Sequence, residues 1–140
     1  MSGFYKDLPQ NARVYSHTTS IPVSANQTEY RLEEKSSIEG RRLLGIWIQT
    51  PVSGGKDAYG NDIAPVANLK SAYLTIVEGN TNIHKMIPLQ HIISCNENGH
   101  PFYISSREIS MSESSIRLGL TSGITAGNQI VITFDYLKEK

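Results

Sequence analysis

The sequence predicts an all-β fold, an antiparallel two-sheet sandwich. Three observations carry this. Apolar and polar residues alternate at a two-residue period in stretch after stretch. Turn residues separate those stretches at short intervals. No stretch keeps a helical period for longer than a turn or two. About eight short strands can be counted, and with one long loop among them a single eight-stranded jelly roll with an extended N-terminal arm is the first expectation. An immunoglobulin-like sandwich comes second, because the chain has no Cys…Trp…Cys spacing.

Residues 1–27 read differently from the rest. They hold Pro9 and Pro22, many small polar residues, and isolated apolar ones such as Tyr5 and Tyr15, with no period. They are expected to be a floppy terminus or an arm whose aromatic residues dock on a neighbouring subunit. The sandwich domain is then 28–140. Thr28–Lys35 alternates Tyr30 and Leu32 with charged residues, which suits an edge strand that resists pairing with other sheets, with a short helix as the competing reading. Gly40 stops any helix started by Ser36–Glu39, so a turn belongs there.

Arg42–Thr50 is a strong strand, apolar on both faces. Leu44, Ile46 and Ile48 fall on one side, with Leu43, Gly45 and Trp47 on the other. Gly45 inside it predicts a bulge or a close backbone approach. Pro51–Ala67 is a long loop with three glycines. Leu69–Val77 and Asn82–Leu89 alternate again on either side of a short turn, predicting an antiparallel hairpin. Gln90–Cys95 is a short apolar run. Phe102–Ser105, Glu108–Met111 and Ser115–Leu120 read as brief strands, and Thr121–Asn128 as a hairpin loop. Gln129–Leu137, QIVITFDYL, gives the clearest alternation in the chain. Its Ile130, Ile132, Phe134 and Tyr136 are expected to pack on Leu44, Ile46 and Ile48. Its other face, Val131, Thr133 and Asp135, is expected to carry no chemistry.

With 140 residues, 39% of them hydrophobic and 19% charged, the chain suits one domain with a sizeable core. Thirteen basic residues balance thirteen acidic ones, which gives no strong nucleic-acid signal. Cys95 is a lone cysteine, so no internal disulfide can form. No signal peptide and no membrane-spanning run is visible, so the expectation is a soluble protein made in the cytoplasm. The sequon at Asn26 reads as accidental.

The tests for chemistry return little. His17, His84, His91 and His100 show no ligand spacing, although His84 and His91 can meet in space. Asp57, Asn61 and Asp62 offer oxygens for calcium but lack a regular ligand spacing. Cys95 between His91 and His100 suggests a nucleophile pair, yet a cysteine ending an apolar run is more often buried and inert. Ser53–Lys56 lacks the first glycine of a phosphate-binding loop. No catalytic residue, metal or cofactor is assigned, and a non-enzyme is expected. Trp47, Tyr59, Tyr73 and Tyr103 are candidates for a sugar-stacking platform, although Trp47 inside an apolar strand favours core or interface packing. The alternative function is a carbohydrate-binding module or adhesin using loop aromatics such as Tyr59. The adjacent pair Arg41–Arg42 reads as a solvated strand end.

Three stretches carry a resemblance: RRLLGIWIQTP at Arg41–Pro51, LKSAYLTIVEGNTNIHKMIPLQ at Leu69–Gln90, and ISMSESSIRLGL at Ile109–Leu120. Together, over Arg41–Leu137, the chain resembles the single jelly-roll minor capsid or vertex (penton) proteins of tailless icosahedral bacteriophages. The resemblance implies a structural virion protein that self-assembles into a ring, commonly a homopentamer, and contacts the major capsid protein. The chain departs from the pattern in having no strongly basic arm. That puts genome contact in doubt and favours an internal membrane or a neighbouring coat protein as the arm's partner. The candidate interface residues are Tyr5, Tyr15, Arg41, Arg42, Leu43, Trp47 and Tyr59.

Overall fold

The computed structural model describes residues 5, 8, 12–23, 27–32, 38–49, 69, 72–79, 83–106, 108–118 and 129–139. Within them the strands are β1 (Ala12–Pro22), β2 (Glu29–Arg31), β3 (Arg42–Gln49), β4 (Tyr73–Glu78), β5 (Ile83–Pro88), β6 (Phe102–Ser106), β7 (Ile109–Arg117) and β8 (Gln129–Glu139). One helix, α1 (Leu89–Glu97), separates β5 from β6. Two antiparallel four-stranded sheets result. The first runs β1-β8-β3-β6 and the second β2-β7-β4-β5. Each strand of one half pairs with its mirror in the other half: β1 with β8, β2 with β7, β3 with β6, and β4 with β5. The contacts β3–β8 and β4–β7 then join these pairs into sheets.

The inward faces follow from the sequence alternation. Ile130, Ile132, Phe134 and Tyr136 of β8 join Ile46 and Ile48 of β3 in one cluster. From the second sheet, Leu74, Ile76, Ile109, Met111 and Ile116 are among those that join it. β3 departs from the expected face in one respect. Its pairing with both neighbours shifts between Leu43 and Gly45, so the core receives Leu43 rather than Leu44. An extra residue in a strand reverses the side to which everything before it points.

Three other expectations are corrected. Residues 12–22, assigned to an arm, form β1, an edge strand paired with β8 over its whole length. Its inward positions, Tyr15, His17, Thr19 and Ile21, are mostly polar, and only Ile21 among them is buried, which hides the period. The apolar run at 90–95 lies in α1. There Leu89, Ile92 and Ile93, three and four residues apart, bury one helical stripe. The helix ends where Gly99, at φ 87°, donates to Asn96 O and His100 N reaches Cys95 O, a glycine-dependent C-terminal lock. The two brief strands expected at 108–111 and 115–120 are one strand, β7, with an irregularity inside it. β4 advances from Thr75 to Val77 while β7 passes from Ser115 to Ser110. Ser114 bridges this gap: its hydroxyl accepts from Val77 N at 3.1 Å and donates to Ser110 O at 2.7 Å. The carboxylate of Glu39 accepts from Met111 N at 3.0 and 3.1 Å. The turn expected near Gly40 is present, with Gly40 at φ 74° and Arg41 N donating to Ile38 O.

Helix α1 carries the chain from the edge of the second sheet to the edge of the first. Asn96 ties it down. Its Oδ1 accepts from Ile48 N at 2.8 Å, and its Nδ2 donates to His100 O at 3.1 Å. The side chain replaces the backbone partner that β6, which starts at Phe102 opposite Ile46, cannot supply.

Candidate functional site

The outward face of the first sheet holds the most organised polar group among the described residues. The register sets one row across all four strands: Ser16 on β1, Asp135 on β8, Gly45 on β3 and Tyr103 on β6. Asp135 is fully buried although it points away from the core between the sheets. A carboxylate removed from water needs its oxygens filled by donors. Ser16 Oγ donates to Oδ1 at 2.6 Å, while Tyr5 Oη and Trp47 Nε1 donate to Oδ2 at 2.5 and 3.0 Å. Trp47 comes from the next row of β3, opposite Thr133, whose hydroxyl lies 2.8 Å from that of Thr18.

Gly45 makes the room. A Cβ at this position would stand 2.0 Å from the Tyr5 hydroxyl and 3.0 Å from Tyr5 Cζ. Any side chain at 45 would therefore occupy the space of the phenol. The Tyr5 ring meets Tyr103 edge-on, with centroids 5.9 Å apart at 83°. Tyr103 in turn stacks on His100 at 5.6 Å and 14°. Tyr103 remains 51% exposed, so this aromatic group reaches the surface. Burial first, then the hydrogen bond to Asp135 and its negative charge, push the Tyr5 hydroxyl far above the ordinary tyrosine value. Tyr5 is thus a neutral donor throughout the physiological range. The arrangement holds a phenol by hydroxyl, ring edge and shape together.

The residues singled out in the sequence fall in several places. Tyr5 and Trp47 both belong to this group. Tyr15 is 41% exposed on β1, stacked on Tyr136 at 6.0 Å, with the Lys138 ammonium 5.6 Å from its ring. Arg41 and Arg42 are half-buried where the Gly40 turn leads into β3. Leu43 is fully buried in the core, so it is a packing residue of its own chain. Tyr59 and the calcium candidates Asp57, Asn61 and Asp62 lie outside the described residues. Of the remaining aromatic candidates, Tyr103 shares the row with Asp135, next to that of Trp47, whereas Tyr73 stands on the second sheet.

Cys95 is half-buried with a free thiol, and His91 is exposed on α1. No group of three His, Cys, Asp or Glu among the described residues is placed to hold a metal. No helix among them is long and apolar enough to cross a membrane. The residue missed in the sequence is Asp135, expected to carry no chemistry. Its signal was an acidic residue in mid-strand between Phe134 and Tyr136, where Asp is disfavoured. No known family, curated protein or solved structure matches the chain.

Proposed function

We propose that the chain is a structural virion protein, a single eight-stranded jelly roll that self-assembles and has no catalytic role. The observation that carries the reading is the strand order, β1-β8-β3-β6 over β2-β7-β4-β5. It is the order produced when one long antiparallel hairpin is rolled into two packed sheets. That architecture serves viral capsids and also lectin domains. Fold alone does not fix function, so the surface must supply the rest. A ring subunit needs two different side surfaces that fit each other. Exposed aromatic residues stand at both edges of the first sheet, Tyr15 on β1 and Tyr103 on β6. The assembly proposed is a homopentamer of vertex type in the capsid, made in the host cytoplasm and bordered by the major capsid protein, with an internal membrane or a protein attached to it as a further neighbour.

Light scattering on the purified chain tests this. The expected result is a discrete species of roughly five times the 15.5 kDa chain mass. A clean monomer at high concentration overturns the reading. Sugar binding is the second reading, favoured by the exposed Tyr103 stacked on His100 beside Trp47. A glycan array with no hits, or binding unchanged in Tyr103→Ala, removes it.

A further inference from the structure

The group around Asp135 has the properties of a binding site with its ligand already in place. Among the described residues, those that meet Tyr5, namely Asp135, Gly45 and Tyr103, belong to the folded sheet. Ser16, Asp135 and Gly45 come from three adjacent strands in register, and Trp47 from the next row. Tyr5 itself stands seven positions before β1 begins at Ala12. Without Tyr5, Asp135 Oδ2 would lose one of its two donors, and a space shaped by the missing Cβ of Gly45 would open beside it. A buried carboxylate one donor short is costly, and a hydroxyl on an aromatic ring restores both the hydrogen bond and the packing.

We infer that Ser16, Asp135, Gly45 and Trp47 form a phenol-recognition site, filled here by the chain's own Tyr5 and, in an assembly, by Tyr5 of a second copy. The second half of this inference rests on the assembly reading above. The chemistry is the same in both cases: a neutral phenol donating to Asp135 Oδ2, with its ring edge against Tyr103. Within an assembly, neighbouring subunits hold their tyrosines at high effective concentration near each other's sites. The row Ser16–Asp135–Gly45–Tyr103 then becomes a point at which one subunit holds another.

Trp47 is the only tryptophan in the chain, and its indole N–H shares Oδ2 with the Tyr5 hydroxyl, so its fluorescence reports whether the site is filled. In the first arm, full-length Tyr5→Ala is titrated with p-cresol. The expected result is a saturable shift of Trp47 emission toward the wild-type spectrum and a rise in Tm, both absent in Tyr5→Ala/Gly45→Ala. If Tyr5→Ala does not fold, p-cresol present during refolding is expected to restore the fold with Gly45 and not with Gly45→Ala. The same response with and without Gly45→Ala, or no response to p-cresol, overturns the recognition site.

In the second arm, Tyr5→Ala is mixed with Gly45→Ala/Trp47→Phe, which keeps Tyr5 but has a blocked site and no tryptophan. The expected result is a shift of the first chain's emission toward wild type, lost when the second chain also carries Tyr5→Ala. No shift overturns the exchange between copies. If wild type is then a discrete oligomer, the assembly reading still stands. A monomeric wild type overturns both, and p-cresol binding alone then decides whether the site recognises a phenol.

Discussion

On the inner face of β8, Ile130, Ile132, Phe134 and Tyr136 meet apolar side chains of the opposite sheet. On its outer face, Val131, Asp135 and Leu137 are as well buried on the side away from that sheet. The inner face is held by removal of apolar area from water, a force without direction that tolerates exchange of similar volumes. The outer face at Asp135 is held by three directed hydrogen bonds onto one carboxylate. There the identity of each atom matters, because a donor or acceptor left unmatched pays its full desolvation. One strand thus carries a permissive side and a specific side, and the recognition of a second copy proposed above uses the specific one.

The contrast can be broken by substitution along β8 and its neighbours. Phe134→Ala leaves a void at a fully buried position and is expected to lower stability by about 3–5 kcal/mol in denaturant unfolding. Phe134→Leu is expected to lose clearly less, as a permissive face should allow. Asp135→Asn keeps the volume but turns an NH₂ toward a donor, with an expected loss of about 2 kcal/mol. A loss as small as that of a surface change would remove the distinction between the faces. Tyr5→Phe, which deletes only the hydroxyl, is expected to lower stability by about 1 kcal/mol and to alter Trp47 emission.

The same hydroxyl gives a pH signature. The ordinary tyrosine value near 10 applies to the unfolded chain, and the folded value lies well above it. Above about pH 10 the unfolded chain therefore releases a proton that the folded chain retains, and stability falls with rising pH. A melting series from pH 8 upward is expected to show a steeper alkaline fall for wild type than for Tyr5→Phe. Equal slopes would separate Tyr5 from Asp135 in solution. Thr133→Val on the same outer face removes only the hydroxyl facing Thr18 at a half-buried position. It is expected to change stability by less than about 0.5 kcal/mol, placing the specificity at Asp135 rather than across the whole face.

The permissive faces were readable in the sequence because alternation is a local signal. Ile130, Ile132 and Phe134 announce themselves within one stretch, as do Leu74 and Ile76. Where irregular backbone intervenes, the reading slips. The shift beside Gly45 exchanged Leu44 for Leu43, although the glycine itself had signalled a bulge or a close approach. β1 was hidden because Tyr15, His17 and Thr19 face inward along a sheet edge without deep burial. Helix α1, at nine residues, offered too few turns for its Leu89–Ile92–Ile93 stripe to outweigh the surrounding strand pattern. The Asp135 group was unreadable for a different reason. Its donors come from positions 5, 16 and 47, and nothing local to QIVITFDYL brings them together.

The mirror pairing of strands also has a consequence in time. Ala12 must find Glu139, and Pro22 must find Gln129, before the first sheet has its middle. β8 follows every other described strand in the chain, yet both β1 and β3 depend on it for a neighbour. During synthesis these two strands wait with unsatisfied edges, while the β4–β5 hairpin can close at once across a short connection. Folding is therefore expected to be slow, to start from the β4–β5 hairpin, and to finish with the Asp135 site, which exists only after β8 lies between β1 and β3. The contact between copies proposed at this site would then be open only to chains that have completed their fold.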